Sequence, residues 1–155
     1  MKRLRLWRRM TADEKAKAAE EALRAAVAAR SYWDIDDDDD WLDILPPIEV
    51  AGTIMDAVES LLEVPFQWDY VAEGSEKHGN GATGYWFRVF DHETGFVLTH
   101  DPDRKALSYY KFIESIDDAK CAVIQLADMI AERLPIIRTI YRQFGELLSS
   151  ARKEA

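Results

Sequence analysis

A single cysteine, Cys121, leaves this 155-residue chain without the means for an internal disulfide framework, so its stability must come from a packed core. No run of residues approaches the ~20 consecutive apolar positions that a bilayer-spanning helix requires, and the first ten residues are basic without the continuous apolar core of a secretory signal. These absences lead us to expect no membrane association and a cytoplasmic location. Histidine is scarce at three residues, and no Ser-His-Asp order, HExxH or paired CxxC occurs. The sequence therefore offers no catalytic residue, no cofactor and no metal set, and a non-enzymatic role is expected. Seven glycines and five prolines are few and scattered, with no flexible linker and no internal repeat. The expectation is one domain over residues 11–155, preceded by a basic arm over residues 1–10.

What is present is charge, unevenly placed. The net charge is −9, but Lys2, Arg3, Arg5, Arg8 and Arg9 contribute +5 within the first ten residues, so the remaining 145 carry −14. An acidic body repels nucleic acid and anionic lipid and is drawn to basic surfaces. The basic arm reads as a frayed, solvated terminus, as a weak phosphate binder or as a segment that folds back on the aspartate run. The acidity is concentrated in Trp33-Asp34-Ile35-Asp36-Asp37-Asp38-Asp39-Asp40-Trp41-Leu42-Asp43. Five consecutive carboxylates, Asp36 to Asp40, cannot be buried, because each unpaired charge costs several kcal/mol to desolvate. Trp33 and Trp41, at either end of the run, suit a binding hot spot, since tryptophan buries a large area at small entropic cost; equally, they can clamp the acidic segment onto the domain.

Local patterns give the architecture. Thr11-Ala-Asp-Glu14 is a capping box opening an alanine-rich helix to about Arg30, whose stripe of Ala16, Ala19, Leu23, Ala26 and Val27 is shallow. Such a helix is peripheral or is completed by another protein. Pro46 and Pro47 begin a second helix, with a stripe of Val50, Ile54, Val58, Leu61 and Leu62, ended by Val64-Pro65. The period then falls to two at Phe66, Trp68 and Tyr70. Strands are expected there, at Tyr85 to Asp91, at Phe96 to His100 and at Leu107 to Ile113, with Gly95 supplying the left-handed position of the turn that follows Asp91. Ser115 caps a third helix with Ala119, Ala122, Val123, Leu126, Met129 and Ile130 inward. Pro135 either kinks it or begins a fourth, along which Ile137, Ile140, Tyr141, Phe144, Leu147 and Leu148 keep the helical spacing. The predicted class is α+β: an antiparallel β-meander of about four strands packed on helices, in the order α-α-β-β-β-β-α-α.

Three motifs invite chemistry and fall short of it. Gly79-Asn-Gly81-Ala-Thr-Gly84 matches Gly-x-Gly-x-x-Gly, but a strand follows it where a dinucleotide site needs a helix, so the glycine-rich stretch from Glu73 to Gly84, with Lys77 and His78, reads as a surface loop. The aspartate run fits neither register of a calcium loop: one puts Asp39 where glycine is needed and Leu45 at the closing position, the other puts Leu42 at the fifth. His92 and His100 lie at opposite ends of the expected hairpin, around 20 Å apart at ~3.3 Å per residue, too far to share a metal. Cys121 sits among Ala119, Ala122 and Val123 and reads as a small buried apolar residue.

The reading that follows is a non-enzymatic acidic protein-binding module, an inhibitor or adaptor engaging a basic and in the extreme nucleic-acid-binding surface of a partner protein, with Trp33, Asp34, Asp36, Asp37, Asp38, Asp39, Asp40, Trp41 and Asp43 as the site. Small inhibitors, immunity proteins and phage or plasmid anti-defence proteins share that physical logic of charge and size. The alternative is a structural or assembly subunit forming homo- or hetero-oligomers through its amphipathic helices. Least favoured is an enzyme or small-ligand binder using the glycine loop.

Overall fold

The computed structural model describes residues 2–30, 41–73 and 83–154. Along them run α1 (Lys2–Arg9), α2 (Ala12–Arg30), α3 (Trp41–Ile44), α4 (Pro47–Leu62), β1 (Phe66–Glu73), β2 (Thr83–Asp91), β3 (Tyr109–Ile113) and α5 (Ile116–Glu154). The fold is α+β, with one antiparallel sheet in the order β1-β2-β3.

The basic arm is not a solvated terminus. It is the helix α1, and two of its three apolar side chains, Leu4 and Trp7, are each only 1% exposed, while Leu6 faces water. Trp7 Nε1 donates to Asp128 Oδ1 of α5 at 2.9 Å, and the Lys15 ammonium of α2 reaches the same oxygen at 2.8 Å. Leu4 and Trp7 are three residues apart, so they share one helix face while the five cations occupy the rest. The apolar pair is buried and the charge stays in water.

The capping box forms as read: Thr11 Oγ1 accepts from the Glu14 amide at 3.2 Å, and Glu14 accepts from the Thr11 amide at 3.0 Å. Those bonds hold the Glu14 carboxyl below its ordinary pKa. The alanine-rich face of α2 is completed by this chain, not by another. Ala19, Ala22, Leu23 and Ala26 are buried, and α2 packs along α4. A Cβ at Gly52 would lie 2.5 Å from the Arg30 guanidinium and would push that side chain aside. That guanidinium is pinned by Glu49 at 2.6 Å and Asp56 at 2.9 Å, both on α4.

The sheet covers the helices with one face. Tyr85, Phe87 and Val89 of β2 point inward and are buried, as the two-residue period requires. Trp68, opposite Val89 in the ladder, lies on this face and packs against the core. Trp86 lies on the other face, so one of the two strand tryptophans faces the helices.

Three strands form where four were expected. Gly95 adopts φ +76° and its amide donates to Asp91 O at 2.8 Å, so the turn after β2 is as read. The returning segment, however, makes only a single bridge, Phe90 to Val97. Side chains take over the groups a ladder would use: the Val89 amide donates to Thr99 Oγ1 at 3.2 Å, Thr99 Oγ1 donates to Leu107 O at 2.9 Å, and Arg133 of α5 donates to Leu98 O at 2.9 Å. β3 then pairs with the first half of β2, Thr83 opposite Ile113 to Phe87 opposite Tyr109. The order is accordingly α-α-α-α-β-β-β-α.

At the C-terminal end the sequence left two possibilities at Pro135, a kink or a new helix. One helix of 39 residues continues through it. Ser115 and Asp118 cap its start reciprocally. Leu126, Ile130 and Leu134 are fully buried, Ile137 is half-buried, and every residue from 139 to 151 is exposed. Pro135 therefore stands where α5 leaves the body.

Candidate docking surfaces

The projecting half of α5 carries apolar side chains that the rest of the described residues leave largely uncovered. Ile136, Ile140, Tyr141, Phe144, Leu147 and Leu148 are between 46% and 68% exposed. At about 100° per residue they fall on a single side of the helix, with Ile137 and Ala151 in line with them. Arg142 and Glu146 fall on the opposite side. This half extends some 20 Å beyond the body, at 1.5 Å per residue. The sequence reading recognised this stripe but not that it stays uncovered.

At its base the strip is held rigidly. Arg138 makes a bidentate contact with Asp91, Nη2 to Oδ1 at 2.9 Å and Nε to Oδ2 at 3.3 Å. Thr94 Oγ1 donates to Asp91 Oδ2 at 2.9 Å and the Glu93 amide to Oδ1 at 3.3 Å, while the Glu93 carboxylate also faces Arg138 at 3.3 Å. The Asp91 side chain is completely buried. Burial by itself would raise its pKa; the hydrogen bonds from Arg138, then from Thr94 and the Glu93 amide, outweigh that and hold the carboxyl below its ordinary value. Phe96 from the same turn packs its ring edge-on against Tyr141, with centroids 5.9 Å apart, and remains half exposed. The β2 turn thus braces the first turn of the projecting helix.

A second exposed surface is the outer face of the sheet. Trp86 and Tyr110 rings lie 4.7 Å apart, and the Arg88 guanidinium sits 5.2 Å from the Phe90 ring while bonded to both Asp69 oxygens, at 2.6 and 3.1 Å. Gly84 belongs to this face, not to a phosphate cradle: it is paired in β2, and a Cβ there would lie 2.5 Å from Tyr110 Oη.

Of the residues assigned to an acidic site, Trp33, Asp34 and Asp36 to Asp40 lie outside the described residues, as do Lys77, His78 and residues 79–82 of the glycine stretch. Asp43 falls within α3. Trp41 is 2% exposed and belongs to the core, which withdraws its side chain from any partner-facing surface and makes it an anchor at the end of the acidic run. His92 and His100 are exposed, and Cys121 is half-buried rather than buried. Among the described residues no group of three or more His, Cys, Asp or Glu is placed to hold a metal ion, and no helix is long and apolar enough to cross a membrane.

No protein-family profile matches the chain, and neither a curated protein nor a solved structure is significantly similar to it.

Proposed function

We propose that this chain is a protein-binding module acting as a subunit of an assembly, and that the projecting half of α5 docks an amphipathic helix of its partner. The observation that carries this reading is the uncovered strip from Ile136 to Leu148. Proteins that work as monomers rarely leave a contiguous apolar patch larger than a few hundred Å², and a rigid helix with one apolar side is the usual half of a helix-on-helix contact. The bracing of its base by Arg138 and Phe96 fits a presented surface better than a loose tail.

The test is a photo-reactive side chain placed at Phe144, in the strip, or at Arg142, on the opposite side, in full-length protein in its native cells. We expect a discrete cross-linked product from position 144 and much less from 142, with the linked peptide mapping to an amphipathic helical segment. Equal products from both positions, or none from either, would overturn the reading.

A second surface is proposed on one specific observation: the described residues on either side of the stretch 31–40, which contains Asp36 to Asp40, are held. Arg30 is fixed by Glu49 and Asp56, and Trp41 is buried. A polyanion tethered at both ends suits a basic face of a partner protein, such as a nucleic-acid-binding one, as an inhibitor or adaptor would. Converting Asp36 to Asp40 to Asn is expected to slow association and flatten its salt dependence without altering stability. Unchanged association at low salt would remove this second surface.

A further inference from the structure

We infer that the helix docked on the α5 strip is the α5 of a second copy of this chain, running antiparallel and crossing near Phe144. This rests on the reading of α5 as a docking element and names its occupant.

The first argument is area. Aromatic side chains bury on the order of 150–250 Å² each, so six large apolar groups about half exposed present several hundred Å². Phe96 at the base extends the strip. A stable interface takes roughly 800 Å² from each partner, and a helix pair meeting along this strip approaches that from its own residues.

The second argument is self-complementarity. With a twofold axis at Phe144, Ile140 faces Leu148 of the second copy, Tyr141 faces Leu147, Ile137 faces Ala151, and Phe144 faces itself. From Ile137 to Ala151 every apolar position meets an apolar one, with only Ile136, opposite Arg152, outside the match, and the contact closes, as an isologous dimer must.

A parallel pair would also match apolar with apolar, so charge decides the direction. Residues 135–155 hold Arg138, Arg142, Arg152 and Lys153 against Glu146 and Glu154, a net +2, which leaves −11 on residues 1–134. Parallel pairing sets body against body and tip against tip, like charge on like. Antiparallel pairing brings the basic tip of each helix to the acidic body of the other, and opposes the two helix dipoles. No carboxylate lies in the strip itself to oppose the contact.

The experiment has two parts. Sedimentation equilibrium of the purified full chain is expected to show a species of twice 17.8 kDa, and Phe144→Asp is expected to weaken its association at least about thirtyfold, as loss of a central aromatic anchor does. Because Phe144 is exposed, this variant keeps its fold, which circular dichroism checks. Next, in a Cys121→Ser background, Ile140→Cys and Leu148→Cys proteins are mixed and treated with a short thiol–thiol cross-linker. The mixed 140–148 product is expected to exceed both homotypic products. Dominant 140–140 and 148–148 products would overturn the antiparallel arrangement. A monomer at every concentration would overturn the second copy altogether. If position 144 still cross-links to a different protein in cells, the docking element stands and only its occupant is wrong; if it links to nothing, both fail.

Discussion

Arg138→Ala is expected to lower the stability of the fold by roughly 3–5 kcal/mol, the usual cost of removing one partner from a buried ion pair. The size follows from what is left behind. Asp91 is completely buried and takes two hydrogen bonds from the Arg138 guanidinium; without them its carboxylate retains only Thr94 and the Glu93 amide in a site closed to water. Denaturant unfolding measures the loss. In the Arg138→Ala/Asp91→Asn double variant much of it is expected to return, because no uncompensated charge remains. A double variant as unstable as Arg138→Ala would mean that the arginine acts by packing alone.

The pH dependence of this pair has a definite sign. The native Asp91 carboxyl titrates below the ordinary value of 3.8, so as the pH falls the unfolded chain takes up the proton first. The stability contributed by the pair is therefore full above about pH 4–5 and is lost as the pH drops through the depressed native value. In Arg138→Ala the lowering influence of the guanidinium is gone while burial, which raises the carboxyl, remains. The gap between wild type and variant is expected to be widest near neutrality and to narrow toward pH 3. A gap that is constant over that range would show that Asp91 is not ionised in the native protein.

Trp7→Ala is the second large effect, about 3–5 kcal/mol, as for other large aromatic residues removed from a core. Trp7 is 1% exposed, fills the space between α1 and the α4–α5 pair, and ties α1 to Asp128. Its removal also undoes the cation–π contact with Lys15, whose ammonium lies 5.4 Å from the ring centroid. With only Leu4 left as a buried apolar anchor, α1 is expected to undock and unwind, so that its backbone is cut by trypsin at the already exposed Arg5, Arg8 and Arg9 well before the rest of the chain. Trp7→Phe should retain part of the stability and of the resistance. Wild-type stability and resistance in Trp7→Ala would refute the docking of α1.

Trp7 shows where the reading from sequence stopped. Eight residues with five cations look like a solvated arm, and only the meeting of Leu4 and Trp7 with α4 and α5 turns them into a core element. The segment from Phe96 to His100 stopped it in another way: its composition suits a strand, yet Thr99 and Arg133 occupy the backbone groups a strand would pair. Asp91 was legible as a turn residue and not as the partner of Arg138, since 47 positions separate them.

The capping box at Thr11, the cap at Ser115, the period of two through Phe66 to Tyr70, the left-handed Gly95 and the helical stripes along α4 and α5 were all legible from residue order, because each depends on neighbours within a few positions of the chain. Periodicity states that one side of a helix is apolar. It does not state what covers that side: the stripe from Ala119 to Ile130 is covered by this chain and the one from Ile136 to Leu148 is not. That difference belongs to tertiary structure alone, because burial is a property of where distant segments come to lie, and here they end at the turn of α5 that follows Pro135.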